Sequence, residues 1–126
     1  MTLREKQSAF LLDFAKLIIF AYEQGYELSS GELLRTKSQQ YLYFEGYNLM
    51  KIGSDLKLAK TKPVSKTMNS KHLLKLAGDL NLFKDGELVS DRKSFKPLAD
   101  YWRALDKKNE SGFDWGWDYS HFQRNL

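Results

Sequence analysis

The sequence contains no cysteine. That excludes a disulfide framework and every thiolate metal site or thiol nucleophile, so the chain folds on its core alone and can do so in a reducing compartment. Histidine is scarce too, with only His72 and His121, and there are 2 prolines. No window is apolar over the ~18 positions a membrane span needs. The most hydrophobic stretch, Ala9 to Tyr22, carries Asp13 and Lys16 in its middle. No small-residue cleavage site follows it, so it does not read as a signal peptide. No internal repeat or low-complexity tract is present. What remains is 126 residues, 42% apolar and 29% charged, the size of one domain, 1–126. The 8 Phe, 7 Tyr and 3 Trp supply large core side chains and argue against disorder. A formal charge of +4 suits an anionic polymer such as nucleic acid, a membrane surface or a bacterial wall, and selects none of them.

Hydrophobic spacing predicts a helix over 4–24, with Phe10, Phe14, Leu17, Ile18 and Ala21 on one face and Gly25 as its stop. The apolar face of this helix is read as core rather than as a membrane or partner surface. Tyr26 to Leu34 suggests a short strand. Thr36 and Gln39 fit a capping box at the start of a second helix running to about Leu49. Residues 51–71, rich in lysine, read as a loop with a short helical piece near 54–60. Asp85-Gly86 between Leu76–Phe83 and Glu87–Ser90 signals a hairpin. Ser94 to Lys107 reads as a third helix with Pro97 in its first turn, where a missing N–H is harmless. The sum is α+β, with about three packed helices and a small antiparallel sheet.

The two histidines lie in Ser70-Lys71-His72 and Asp118-Tyr119-Ser120-His121. Two imidazoles and one carboxylate can hold zinc tetrahedrally and leave the fourth position for water, the arrangement a hydrolytic site needs. Asp118, three residues before His121, is placed to act as a base beside such a site without binding the metal. Asp79 lies inside the apolar run LAGDLNLF. A strand there sends Ala77, Asp79 and Asn81 to one face and Leu80 and Leu82 to the other, so Asp79 points away from the core. Spacing alone leaves simpler readings open: a solvated histidine, a turn carboxylate, and Gln39 as a capping residue only.

These segments resemble the zinc D-Ala-D-Ala carboxypeptidase and L-alanyl-D-glutamate endopeptidase family, often called VanY-like, and within it the short phage endolysins. The family carries Ser-x-His-x6-Asp and a later Asp-x-x-His, matched here by Ser70, His72 and Asp79, then Asp118 and His121. A third segment, Gly31 to Gln39, looks like the family's Arg shortly before a Gln on a helix, which maps to Arg35 and Gln39. The resemblance spans residues 31–123. It implies one zinc ion per chain held by His72, Asp79 and His121, Asp118 as general base and acid, and Arg35 stabilising the developing oxyanion. Gln39 and Ser70 would contact substrate. The implied fold is the Hedgehog/D-Ala-D-Ala-peptidase type, and the implied partner is bacterial peptidoglycan, met by a monomer made in a bacterial cytoplasm and acting after release. Two departures touch the cleft rather than the ligands: Lys75 stands where the family usually has Gly, and Ser120 where it often has Pro. Because His72 and Asp79 are an odd number apart, His72 is expected in the segment entering the strand, and a bend is expected between Asp118 and His121.

Two other classes compete. Lys51, Lys57, Lys60, Lys62, Lys66 and Lys71 form a basic run that a nucleic-acid-binding module would use, but no recognised nucleic-acid signature accompanies it, and no nucleic-acid partner is expected. A non-catalytic wall-binding protein could use Trp115 and Trp117 as a sugar or peptide platform, though an intact ligand set with Asp118 argues against it.

Overall fold

The computed structural model describes residues 1–126. Its first helix, α1 (Leu3–Glu23), begins at Thr2. The Thr2 hydroxyl accepts from the Glu5 amide at 3.1 Å and the Glu5 carboxylate accepts from the Thr2 amide at 2.6 Å, a reciprocal cap. Phe10, Phe14, Leu17 and Ala21 recur along one stripe of α1 and are buried, as their spacing requires. β1 (Glu27–Ser30) pairs antiparallel with β4 (Ala77–Lys84), Leu28 opposite Leu82 and Ser29 opposite Asn81. In β4, Leu80 and Leu82 are buried while Asp79 and Asn81 are only partly so, the two-residue alternation that points Asp79 away from the core. Asp85 and Gly86, both with positive φ, join β4 to β5 (Glu87–Val89) as a two-residue hairpin.

α3 (Arg92–Leu105) is capped by Asp91 and buries Phe95, Leu98, Ala99 and Trp102. It starts two residues before the expected Ser94, so Pro97 lies in the second turn rather than the first. There its missing N–H leaves a backbone carbonyl of the first turn without its helical partner. β6 (Asn109–Ser111), the single turn α4 (Gly112–Trp115) and β7 (His121–Arg124) complete the chain. The main sheet runs β1-β4-β7-β6, with β5 paired to the far half of β4. Trp102 meets Phe10, Phe14 and Phe122 edge-on, and its indole N–H is shared between the carbonyls of Glu110 and Gln123, both at 3.1 Å. One side chain thus ties α1 and α3 to β6 and β7.

The region after Thr36 departs from expectation. α2 (Lys37–Glu45) is capped by Thr36, but only in one direction, and ends at Gly46 in the left-handed conformation rather than near Leu49. β2 (Tyr47–Ile52) and β3 (Asp55–Lys60) then form a separate two-stranded hairpin around Gly53-Ser54. The first half of the expected lysine-rich loop, including the helical piece expected near 54–60, therefore lies in a strand pair. The architecture is α+β, with four helices and a small antiparallel sheet. No helix is long and apolar enough to cross a membrane.

Candidate metal centre

Three segments converge on the exposed face of β4. His72 lies in a 3-10 turn, Lys71–Leu74, capped by Ser70, whose hydroxyl accepts from the His72 amide at 3.2 Å. Lys75 closes this turn at φ 57°, a left-handed conformation that glycine adopts freely and lysine does not. Asp79 follows on β4, and His121 sits directly opposite it on β7. The bend expected before His121 is there: residues 119–120 form a turn, and the His121 amide donates to the Asp118 carbonyl at 3.1 Å.

A fourth strip, Gly31 to Arg35, laces the first two residues together. The Gly31 amide donates to the Asp79 carbonyl at 2.8 Å, the Asp79 amide to the Glu32 carbonyl at 3.0 Å, and the Arg35 amide to the His72 carbonyl at 3.2 Å. A β-carbon on Gly31 would come within 2.9 Å of the Asp79 side chain, so glycine is what lets the strip run this close.

The side-chain geometry sets the tautomers. His72 Nδ1 lies 3.0 Å from the Leu33 carbonyl, an oxygen that can only accept, so Nδ1 carries the proton and Nε2 presents a lone pair. His121 Nε2 lies 2.8 Å from Gln123 Oε1, and the Gln123 amide nitrogen is turned to Asn125 Oδ1 at 2.8 Å. Nε2–H is therefore the donor and Nδ1 is free. The two free nitrogens are 3.2 Å apart. Asp79 Oδ1 lies 3.2 Å from His121 Nδ1 and 3.4 Å from His72 Nε2.

Three lone pairs aimed at one point repel unless a cation sits among them. Ligands about 2.0–2.1 Å from a tetrahedral ion are about 3.3 Å from one another, so the triangle has the right size. Two imidazoles and a carboxylate are a donor set that suits zinc, and the group can hold a metal ion. Burial pulls His121 down, but its hydrogen bonds to Asp79 and Gln123 prevail and raise it above the usual histidine value. Burial pushes Asp79 up, and its contacts with His121 and His72 outweigh that and bring it to about 2.

The open side of the triangle faces a cleft of about 540 Å³, which Arg35, Ser70, His72, Asp79, Asp118 and His121 all line. Asp118 is partly buried there. Desolvation raises its carboxyl above the usual carboxylate range, against the opposing pull of His121. A β-carbon on Gly112 would fall 1.7 Å from the Asp118 carbonyl oxygen, so that glycine admits the Asp118 backbone.

The resulting fold has a solved counterpart. It is similar to the crystal structure of Serratia marcescens L-Ala D-Glu endopeptidase ChiX. The match covers 97% of this chain and 85% of that one, with a TM-score of 0.62 and 22% sequence identity. No protein-family profile and no curated protein sequence matches the chain.

Of the two expected substrate contacts, Ser70 lines the cleft and Gln39 lies elsewhere. Gln39 does not line the cleft; its backbone amide is simply capped by Thr36 at 3.2 Å. Its neighbour Gln40, fully buried, accepts from Arg35 Nη1 at 2.7 Å and donates to Ser65 Oγ at 2.9 Å. Arg35 itself is heavily engaged. Its Nε donates to Glu32 Oε1 at 2.6 Å and Nη2 to Glu32 Oε2 at 3.3 Å, while Nη1 also donates to Ser70 Oγ at 3.3 Å. Of the five guanidinium N–H groups, one on Nη2 is left over. Sequence reasoning passed over Glu32, Gln40 and Gln123. Two of them had a readable signal. Gln40 shares a helix face with the cleft residue Tyr43, three positions on, and Gln123 shares a strand face with His121 two positions back.

Proposed function

We propose that residues 1–126 form a single zinc peptidase domain that hydrolyses peptidoglycan stem peptides, cutting the bond between L-Ala and D-Glu, and that it works as a monomer. The carrying observation is the triangle of free acceptor atoms from His72, Asp79 and His121, at 3.2–3.4 Å, open on one side to a cleft. The likeness in fold to an L-Ala D-Glu endopeptidase supports the choice of bond.

In this reading His72 Nε2, His121 Nδ1 and Asp79 Oδ1 hold the ion. Zinc there would supply Lewis acidity toward the attacking water and the scissile carbonyl. Asp118 accepts the proton of the attacking water and returns it to the leaving amine. Its raised pKa suits both halves of that exchange, because a carboxylate nearer neutrality takes a proton more readily. Arg35 is held rigid by Glu32, Gln40 and Ser70, and aims its remaining N–H at the carbonyl oxygen as negative charge forms. Ser70 acts by fixing both Arg35 and the amide of His72, and Gln40 supports the site by fixing Arg35.

Digestion of purified bacterial wall by the zinc-loaded protein, followed by mass spectrometry of new amino termini, tests this. New D-Glu amino termini are expected. Release of free D-Ala alone would shift the reading to a carboxypeptidase of the same family. Asp118→Asn should retain zinc and lose about 10²–10⁴-fold in turnover, and His72→Ala should lose both zinc and activity. Full activity and full zinc in His72→Ala would rule the site out.

A further inference from the structure

The β2–β3 hairpin takes no part in the core. Every residue from Asn48 to Leu58 is exposed, although Leu49, Ile52, Leu56 and Leu58 are each 57–72% exposed and apolar. Such a concentration of branched aliphatic side chains on one protruding element marks an interaction surface. The hairpin is also stiffly mounted. The Thr61 amide donates to the Gly46 carbonyl at 2.8 Å, and a β-carbon on Gly46 would come within 2.7 Å of the Thr61 carbonyl oxygen. The register places Leu49 opposite Leu58 and Lys51 opposite Leu56 on one face, and Met50 opposite Lys57 on the other.

Charge selects the partner. Lys51, Lys57, Lys60 and Lys62 stand against one acid, Asp55, within residues 47–62. Leucine, isoleucine and methionine suit acyl chains. They do not suit sugar rings, which stack on flat aromatic faces, and in this molecule Trp115 and Trp117 line the cleft instead. Lysines flanking an aliphatic face suit the phosphates of lipid headgroups. We propose that the β2–β3 hairpin is a docking element for an anionic phospholipid bilayer, laying on it the face that carries Leu49, Leu56 and Leu58 while the neighbouring lysines rest on the headgroups. This is independent of the peptidase chemistry.

Sedimentation of the full chain with vesicles tests the proposal, using phosphatidylglycerol–phosphatidylcholine mixtures against phosphatidylcholine alone. At low salt the anionic vesicles are expected to bind at least about tenfold more protein, and added salt should reduce the difference. The double variant Leu56→Asp/Leu58→Asp should cut binding by about tenfold or more with an unchanged melting temperature, since both positions are exposed. Lys57→Glu/Lys60→Glu should remove the preference for anionic lipid, each lysine carrying about a fivefold share of affinity. Absence of binding to anionic vesicles at low salt would overturn the proposal, as would undiminished binding by the Leu56→Asp/Leu58→Asp variant. A dimer that this variant dissociates would also overturn it, by assigning the face to a second copy of the chain.

Discussion

Replacing Gln123 by Met tests the metal centre without touching a ligand. In the native protein Gln123 Oε1 accepts the Nε2–H of His121 at 2.8 Å, and that bond alone turns the lone pair of Nδ1 toward Asp79 and His72. Methionine matches the length and bulk of glutamine but offers no comparable acceptor. The buried imidazole then keeps an unpaired N–H, a penalty of about 1–3 kcal/mol, or it changes tautomer and withdraws the ligand. Loss of such a supporting bond lowers metal affinity by about 10–100-fold, which is about 1.4–2.8 kcal/mol. Zinc competition against a chromophoric chelator at neutral pH reads this directly. Gln123→Glu, which restores an acceptor with added charge, should bind at least as tightly as the native protein. If Gln123→Met bound zinc with native affinity, His121 Nδ1 would not be a ligand and the derivation of the site would fail.

Three further outcomes follow from the same geometry. His121 titrates above its ordinary 6.5 in the folded metal-free protein, so its contribution to stability is full below pH 6.5 and lost as pH rises through the folded value. In EDTA the melting temperature should accordingly fall as pH rises above 6.5, the stabilisation by added zinc should grow as it does, and a flat profile would contradict this. Gly112→Ala drives a methyl into the Asp118 carbonyl; turnover should drop at least about tenfold while zinc content holds, and native turnover would show that the position of Asp118 is immaterial. Lys75→Gly relieves a left-handed lysine at φ 57° and should raise stability by about 1 kcal/mol, seen as a higher midpoint in urea, with a lower midpoint counting against strain there.

The candidate trio His72, Asp79 and His121 is named through the resemblance to a zinc peptidase family, and residue scarcity and strand parity are compatible with it. With only two histidines, any imidazole pair had to be His72 and His121. The alternation of LAGDLNLF placed Asp79 off the core before any coordinates. The α1 stripe was legible because it buries one face at a fixed period, and the hairpin because Asp85-Gly86 suits the positive φ angles of its two-residue turn. The β2–β3 hairpin was not, because it buries neither face and its lysines imitate a solvated loop. The Gly53-Ser54 pair between two runs of six residues was the available hint. Gln40 escaped because its work is tertiary: it joins Arg35 to a segment 25 residues further along the chain.

Asp79 and His121 face each other as partners across β4 and β7. A slip of one position in that pairing would send one of the two side chains to the opposite side of the sheet. Bound metal would then be a stamp of correct assembly, since a chain that mispairs these strands has nowhere to put the ion. Refolded preparations could be graded by metal content alone, before any substrate is added.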